Sequence, residues 1–422
     1  MTHRPQVYKD WLRIVTQKLP HLSKPQATVL SLWSLGIALT QCCGLSTVSA
    51  FLAELLEQPE NTVRQRLREW YQNLEQKRGR KRRELEVSAS FVPLLTWILS
   101  WWSPSEKRLV LAADASNLGD RLTVLLIAVV YRGCGLPVAW KILPATTPGS
   151  WQPHWLKLLA HLERGVPDDW FVLLTTDRGL YAKWFYEAIQ ALNWHPFMRI
   201  NHQGQYQVAG TSGFMPLSTA VSQVGQSWTG TVTCFKTNPL ACTLLARWDE
   251  GYSDPWLVVT DLDPQQTDIL WYGLRSWIEC LFKHIKRGGF NWHLTRMRDP
   301  QRAERLWLAI AVATIWLVSV GGHADAQLSA SSLPVPISSP NTPDSSEHPV
   351  PETDEATTLS QTSEASQTVA REAQPKRSLS CFRRGLVVIL ATLLKGLPLP
   401  VGQFLPEFAS LVPESAPIFS SG

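Results

Sequence analysis

The chain has 422 residues, 45% of them hydrophobic, with a formal charge of +5. That is long enough for two or more domains with buried cores, and the composition is globular. Seven cysteines, an odd number with no CxxC pair, exclude a zinc ribbon or disulfide framework and point to a reducing cytoplasm. The longest apolar run, Leu306–Val320, has 15 residues. A bilayer span needs roughly 20, so this run reads as a buried helix, and MTHRPQVYKD at the start carries no apolar leader. The expectation is a cytoplasmic chain with no membrane partner. The charge is uneven: residues 1–107 hold 15 Lys+Arg against 9 Asp+Glu, and residues 323–377 hold 3 against 8. The basic N-terminal part is therefore the candidate anion binder.

In chain order, residues 1–100 read as helical. Ala27–Cys42 is apolar, and Val48, Phe51, Leu52 and Leu55 recur at helical spacing within Thr47–Leu56. After the break at Gln58–Asn61, Asn61 is placed to cap a helix over Thr62–Leu74. Its Val63, Leu67, Trp70 and Tyr71 face inward and Arg64, Arg66 and Arg68 face outward. Helix, short break and Arg-rich helix resemble a helix-turn-helix arrangement. Lys77, Arg78, Arg80, Lys81, Arg82 and Arg83 follow within seven positions. Such a run is either a solvated linker or a clamp on a phosphate backbone.

From Arg108 the pattern changes to short apolar runs. Arg108–Asp114, Arg121–Tyr131 and Leu136–Leu143 read as three strands separated by turn residues at hairpin spacing. A helix over Trp155–Arg164, a strand over Trp170–Thr176, a helix over Leu180–Leu192 and a strand over Pro196–Asn201 complete the order of a ribonuclease-H-like α/β domain. Residues 203–263 hold further strand-like runs joined by polar, Gly-containing turns and read as a β-rich insertion. Leu270–Lys286 reads as one amphipathic helix, and Arg302–Val320 as a long buried one. Residues 323–377, rich in Ser, Thr, Pro and acids, read as a disordered linker. The segment 378–422 resumes with an apolar helix ended by Pro398. The fold class is thus α/β. A ribonuclease-H-like catalytic core (108–202 and 264–322) carries the β-rich insertion, and an all-helical, basic region over 1–100 precedes it.

Three carboxylates stand out. Asp114 and Asp177 each end an apolar strand, the edge of an α/β sheet where ligands bind. Either alone is equally well read as a turn residue. Two convergent carboxylates repel each other unless they share a cation. Glu279 lies on the Leu270–Lys286 helix, on a polar stripe with Tyr272, Arg275 and Lys286. A third hard oxygen donor from that stripe suits Mg²⁺. From Asp268 to Arg302 there are 7 Lys+Arg against 3 acids, which favours a polyanionic substrate.

These residues carry a resemblance. Tyr272-x2-Arg275-x3-Glu279-x6-Lys286 matches the Y-R-E-K signature of DDE transposases of the IS-four family of bacterial insertion sequences. Asp177-Arg178-Gly179 resembles the family's second aspartate motif, and Asp114 its first. The carboxylates are 63 and 102 residues apart, the longer gap being that of the family's β insertion. The resemblance implies that Asp114, Asp177 and Glu279 are catalytic and hold two Mg²⁺ or Mn²⁺ ions. It implies that Tyr272, Arg275 and Lys286 contact transposon-end phosphates. Lys283, His284, Arg287, Arg296 and Arg298 would extend that surface, and Lys77 to Arg83 would add a second DNA contact. The implied activity is cleavage at terminal inverted repeats and transfer of the 3′-hydroxyl ends to target DNA. Its partners are double-stranded DNA and a second copy of the chain, in the cytoplasm and on the nucleoid. The family also stacks an aromatic of the insertion on a flipped base, for which Trp228 and Trp248 are candidates. Two other readings stay open: a ribonuclease-H-like nuclease with another substrate, and a catalytically silent DNA-binding derivative.

Overall fold

Two apolar strands running side by side in the same direction set the architecture. The computed structural model describes residues 6–77, 83–146, 149–327 and 379–405. β1 (Arg108–Leu118), β2 (Leu122–Tyr131) and β3 (Cys134–Pro144) form an antiparallel meander. β2 is buried at every position, so its unbroken run of apolar residues is covered on both faces. The β2–β3 turn is Arg132–Gly133, both at positive φ (43° and 79°). That matches the type I′ geometry whose twist suits a two-residue hairpin.

β4 (Phe171–Thr176) then pairs parallel to β1, and β5 (His195–Arg199) parallel to β4. Parallel neighbours need crossovers, supplied by α6 (Gln152–Glu163) and α7 (Lys183–Gln190). Residues 203–263 do not form a layer of their own. Their strands, β6 (Gln205–Val208), β7 (Met215–Pro216), β8 (Ser227–Cys234), β9 (Leu240–Arg247) and β10 (Trp256–Thr260), continue the same sheet. Its order is β3-β2-β1-β4-β5-β10-β9-β8-β6-β7. The reason is edge pairing. β5 would otherwise expose a row of unpaired backbone groups, and β10 lies antiparallel along it.

The helices complete the same compact unit, formed by the described residues up to Ala326 together with 380–405. They are α1 (Gln6–Lys18), α2 (Lys24–Thr40), α3 (Leu45–Leu56), α4 (Glu60–Tyr71), α5 (Phe91–Ser100), α8 (Trp277–Ile285), α9 (Pro300–Ala326) and α10 (Cys381–Leu394). α9 is long and apolar enough to cross a membrane by length and composition, yet Leu306 to Val320 are all buried within the fold. It packs on β3, α2, α4 and α10. The N-terminal helices are therefore joined to the sheet through α9 rather than forming a free-standing region. Trp70 Nε1 donates to the Arg305 carbonyl (3.1 Å). Arg305, itself buried, donates to the Tyr71 carbonyl (2.9 Å) and Asn73 Oδ1 (2.8 Å) and pairs with Glu84.

Local departures from the sequence reading have physical causes. In α4 the N-cap is Pro59, and Asn61 sits exposed within the first turn instead of capping it. Val63, Leu67 and Trp70 are buried at the spacing expected. Of the linker over 323–377, residues 328–377 lie outside the described residues, while 323–326 belong to α9. Asp325 is buried there, facing Arg132 (3.8 Å) and Arg384 (3.6 Å). The segment 378–422 contributes α10, which lies against α9 at a glycine crossing. A Cβ on Gly385 would sit 1.8 Å from the Leu317 carbonyl oxygen, and one on Gly321 1.8 Å from that of Cys381. Glycine in a helix interior costs about 1 kcal/mol against alanine. Here its lack of a side chain allows the two backbones to touch.

Candidate active site

The register of β1 and β4 places two carboxylates side by side. Their parallel ladder ends at Ala113↔Thr176, so Asp114 follows on β1 and Asp177 is the first residue past β4. β1 does not stop at Asp114, as its apolar run suggests. It continues to Leu118, held by β2 alone, because Ala115–Leu118 still pair with Leu122–Leu125. Asp114 is thus mid-strand where its parallel neighbour departs. Asp177 starts the loop after β4, where its Oδ1 accepts from the Gly179 and Leu180 N–H groups (3.0 and 3.1 Å).

The third carboxylate arrives on a broken helix. Instead of one helix over Leu270–Lys286, a 3₁₀ segment (Ile269–Ser276) leads into α8. Asp268 caps the 3₁₀ segment by accepting from Leu270 N (2.9 Å), and Gly273 in its middle weakens any α-helical preference. Residues three apart eclipse in a 3₁₀ helix, so Tyr272 and Arg275 share one face. α8 then buries Ile278, Leu281 and Ile285 completely and packs on β3, β1 and β2. Glu279 lies on the other side, one helical turn after Arg275.

These elements meet at one guanidinium. Arg275 Nη2 is 2.8 Å from Asp114 Oδ2 and 3.6 Å from Asp177 Oδ2, and its Nη1 pairs with Glu279 Oε1. The side chains of Arg275 and Asp114 are each 13% exposed, that of Glu279 48%. Burial pushes the Asp114 carboxyl up to about 6, against the lowering pull of Arg275, with Asp177 and Glu279 adding to the rise. Burial works against the Arg275 charge, but Asp114, Tyr272, Glu279 and Asp177 outweigh it and hold its pKa above the usual value.

Lys286 Nζ lies beside this cluster, donating to Ser116 Oγ (2.8 Å) and the Asn117 carbonyl (3.0 Å). Burial lowers its pKa. The sequence reading ended the first strand at Asp114 and missed that Ser116 and Asn117 form the seat of Lys286. The signal available was their place directly after Asp114. Tyr272 is not on an exposed stripe. Its ring is buried edge-on against Trp256 (centroids 4.9 Å, 77°), and burial pushes its hydroxyl up to about 12. Lys283 is exposed on α8, and Arg287, Arg296 and Arg298 are exposed beyond it, whereas His284 is buried and stacked on Phe382 (4.3 Å), off that surface. Arg296 and Arg298 line a cleft of about 660 Å³ with Cys42, Tyr71, Asn291 and Arg302, away from the carboxylates.

Other candidates lie elsewhere. Lys77 Nζ donates to the Arg83 carbonyl (2.9 Å), and Arg83 is exposed. Arg78, Arg80, Lys81 and Arg82 lie outside the described residues. Trp228 packs on Tyr206 (5.7 Å) and Trp248 Nε1 donates to the Tyr252 carbonyl (2.9 Å), so both are engaged within the fold.

The donor chemistry of Asp114, Asp177 and Glu279 suits a hard divalent cation. Their spacing in this conformation does not. Among the described residues no three His, Cys, Asp or Glu side chains stand close enough to share an ion. The guanidinium of Arg275 stands between the carboxylates.

Residues 147–316 match the family model of the transposase DDE domain, a stretch that includes Asp177 and Glu279 and begins after Asp114. Among solved structures, the chain is similar to a piggyBac transposase synaptic complex with hairpin DNA, at 10% identity. That alignment covers 74% of this chain and 71% of the other, with a TM-score of 0.37. It is also similar to human ENDOV, at 12% identity over 47% of this chain and 81% of that one, TM-score 0.23. A third is the Mos1 strand transfer complex, at 16% identity over 40% and 56%, TM-score 0.16. No curated protein matches the chain.

Proposed function

We propose that this chain is a DDE transposase of the IS-four kind, which cleaves DNA at the terminal inverted repeats of its element and joins the 3′-hydroxyl ends to target DNA. The observation that carries this reading is the convergence of Asp114, Asp177 and Glu279, from three separate elements, on the Arg275 guanidinium. The match of residues 147–316 supports it. So does the strand order β3-β2-β1-β4-β5, with β4 and β5 parallel to β1, which suits a ribonuclease-H-like core.

In this reading Asp114, Asp177 and Glu279 would hold the two Mg²⁺ or Mn²⁺ ions once Arg275 withdraws. Such ions, when bound, activate a water or hydroxyl nucleophile and stabilise the leaving oxygen. The chain's own residues bind and orient. Lys286, seated on Ser116 and Asn117, is a fixed point charge beside the carboxylates. Arg275 offers a planar fork for a phosphate. Tyr272 stiffens the 3₁₀ segment from inside the fold. Lys283, exposed on α8, and Arg287, exposed just past it, suit the flanking phosphates, and the run Lys77 to Arg83 suits a second stretch of backbone. Joining two ends requires two active sites, hence a homodimer on DNA. The seven free cysteines suit work in the cytoplasm, on the nucleoid.

The test is end-specific cleavage. The purified chain is incubated with Mg²⁺ or Mn²⁺ and duplexes taken from the DNA on either side of its coding region. Nicks confined to inverted repeats support the reading. Cutting without preference for those ends overturns it in favour of a general nuclease, and end binding without any cutting overturns it in favour of a silent DNA-binding derivative.

A further inference from the structure

We propose that Arg275 masks the carboxylate cluster in the nucleic-acid-free chain and uncovers it when a DNA phosphate takes over its guanidinium, so that DNA binding and metal loading are coupled. The proposal rests on the site assignment made above and adds its regulation.

The geometry motivates it. One guanidinium contacts Asp114, Asp177 and Glu279 together. A divalent ion binds carboxylate oxygens at about 2.0–2.1 Å for Mg²⁺. An ion at the point between these carboxylates would overlap the guanidinium and be repelled by its charge. Arg275 and such an ion therefore compete for the same oxygens. The other cation at the site does not share this role, because Lys286 is engaged by Ser116 and the Asn117 carbonyl.

Arg275 is also poised to leave. It sits in the 3₁₀ segment Ile269–Ser276, whose hydrogen-bond geometry is poorer than that of an α-helix. Its Nε is buried and makes no hydrogen bond in this arrangement, so its present partners leave one donor unsatisfied. A phosphate can take two parallel N–H groups of a guanidinium. The open side of the cluster is that of Glu279, with the exposed Lys283 one turn further along α8 and Arg287 just beyond it. A polyanionic strand drawn to that side by Lys283 and Arg287 comes up to the Glu279–Arg275 pair. Linkage then requires reciprocity: DNA raises metal affinity by the same factor by which metal raises DNA affinity.

The experiment measures Mn²⁺ binding directly, by the loss of the free-ion electron paramagnetic resonance signal, on the full chain. Arg275→Ala is expected to bind Mn²⁺ about tenfold more tightly than wild type without DNA, within the usual range of coupling. A duplex carrying the element's end should tighten Mn²⁺ binding to wild type by a similar factor and leave Arg275→Ala nearly unchanged. Asp114→Asn should abolish the tight site in both backgrounds. Should Arg275→Ala fail to fold, as judged by circular dichroism, the wild-type comparison with and without the duplex decides alone. If Arg275→Ala folds and binds Mn²⁺ no tighter than wild type, while Asp114→Asn still removes binding, the masking role falls and the metal site stands. If Asp114→Asn alters Mn²⁺ binding in neither background, with or without DNA, the site assignment falls with it.

Discussion

Asp114→Asn should make the metal-free protein more stable, and increasingly so as the pH rises. Asp114 is largely buried, and its carboxyl is pushed from the ordinary 3.8 up to about 6 even with Arg275 beside it. One pH unit corresponds to about 1.36 kcal/mol, so the ionised side chain costs the fold on the order of 3 kcal/mol. The sign follows from linkage. The folded state holds this proton more tightly than the unfolded chain, so the stability tied to it is fully present below the unfolded pKa. It is lost as the pH rises through about 6. Asparagine keeps the shape of the protonated acid and cannot ionise, while Asp177 and Glu279 remain to hold Arg275. Urea unfolding followed by tryptophan fluorescence, with a chelator present, would measure the difference. The variant should gain on the order of 3 kcal/mol at about pH 8, and about 1 kcal/mol less at about pH 5. A variant no more stable than wild type, or a gain that does not grow with pH, would refute the reasoning. The cost is of the kind expected where a site is shaped for function rather than stability.

Gly385→Leu should force α10 off α9, since even a Cβ would lie 1.8 Å from the Leu317 carbonyl oxygen. A loss of about 3 kcal/mol or more, with faster proteolysis of the C-terminal segment, is expected, and a neutral result would show that the helices do not cross there. Arg305→Ala removes the buried donor to the Tyr71 carbonyl, Asn73 and Glu84 and should cost about 3 kcal/mol in the same urea assay. An unchanged midpoint would mean that the N-terminal helices are held by other contacts. Replacing the basic residues of Lys77–Arg83 by alanine should weaken DNA binding and flatten its salt dependence. Equal affinity at moderate salt would remove that segment from the DNA-binding surface.

Much of the core was legible because its signals are local. Apolar runs bounded by turn residues marked β1 to β5, and the two aspartates stood directly after apolar runs that prove to be parallel neighbours. What escaped depends on tertiary pairing. The polar end of β1, Ala115–Leu118, is a strand only because β2 pairs with it, and this strand end seats Lys286. The strands of 203–263 read as an insertion, but nothing in their pattern says that β10 will lie along β5. A regular helical stripe over Leu270–Lys286 hid the 3₁₀ break at Gly273, which turns Tyr272 into the interior and Arg275 toward the carboxylates. The Y-R-E-K spacing pointed to Arg275, Glu279 and Lys286, which lie beside Asp114, and to Tyr272, which turns inside the fold. It did not reveal that the arginine would pair with all three acids.

The most direct test of the account is the cleavage of end-bearing duplex by Glu279→Gln beside wild type, with DNA binding measured on the same samples. Glu279 is the half-exposed member of the cluster, so removing its charge leaves the fold intact. The account predicts that cleavage falls by about a hundredfold or more while end binding stays near the wild-type level. Cleavage by Glu279→Gln at the wild-type rate would contradict the assignment of Asp114, Asp177 and Glu279 as the catalytic centre.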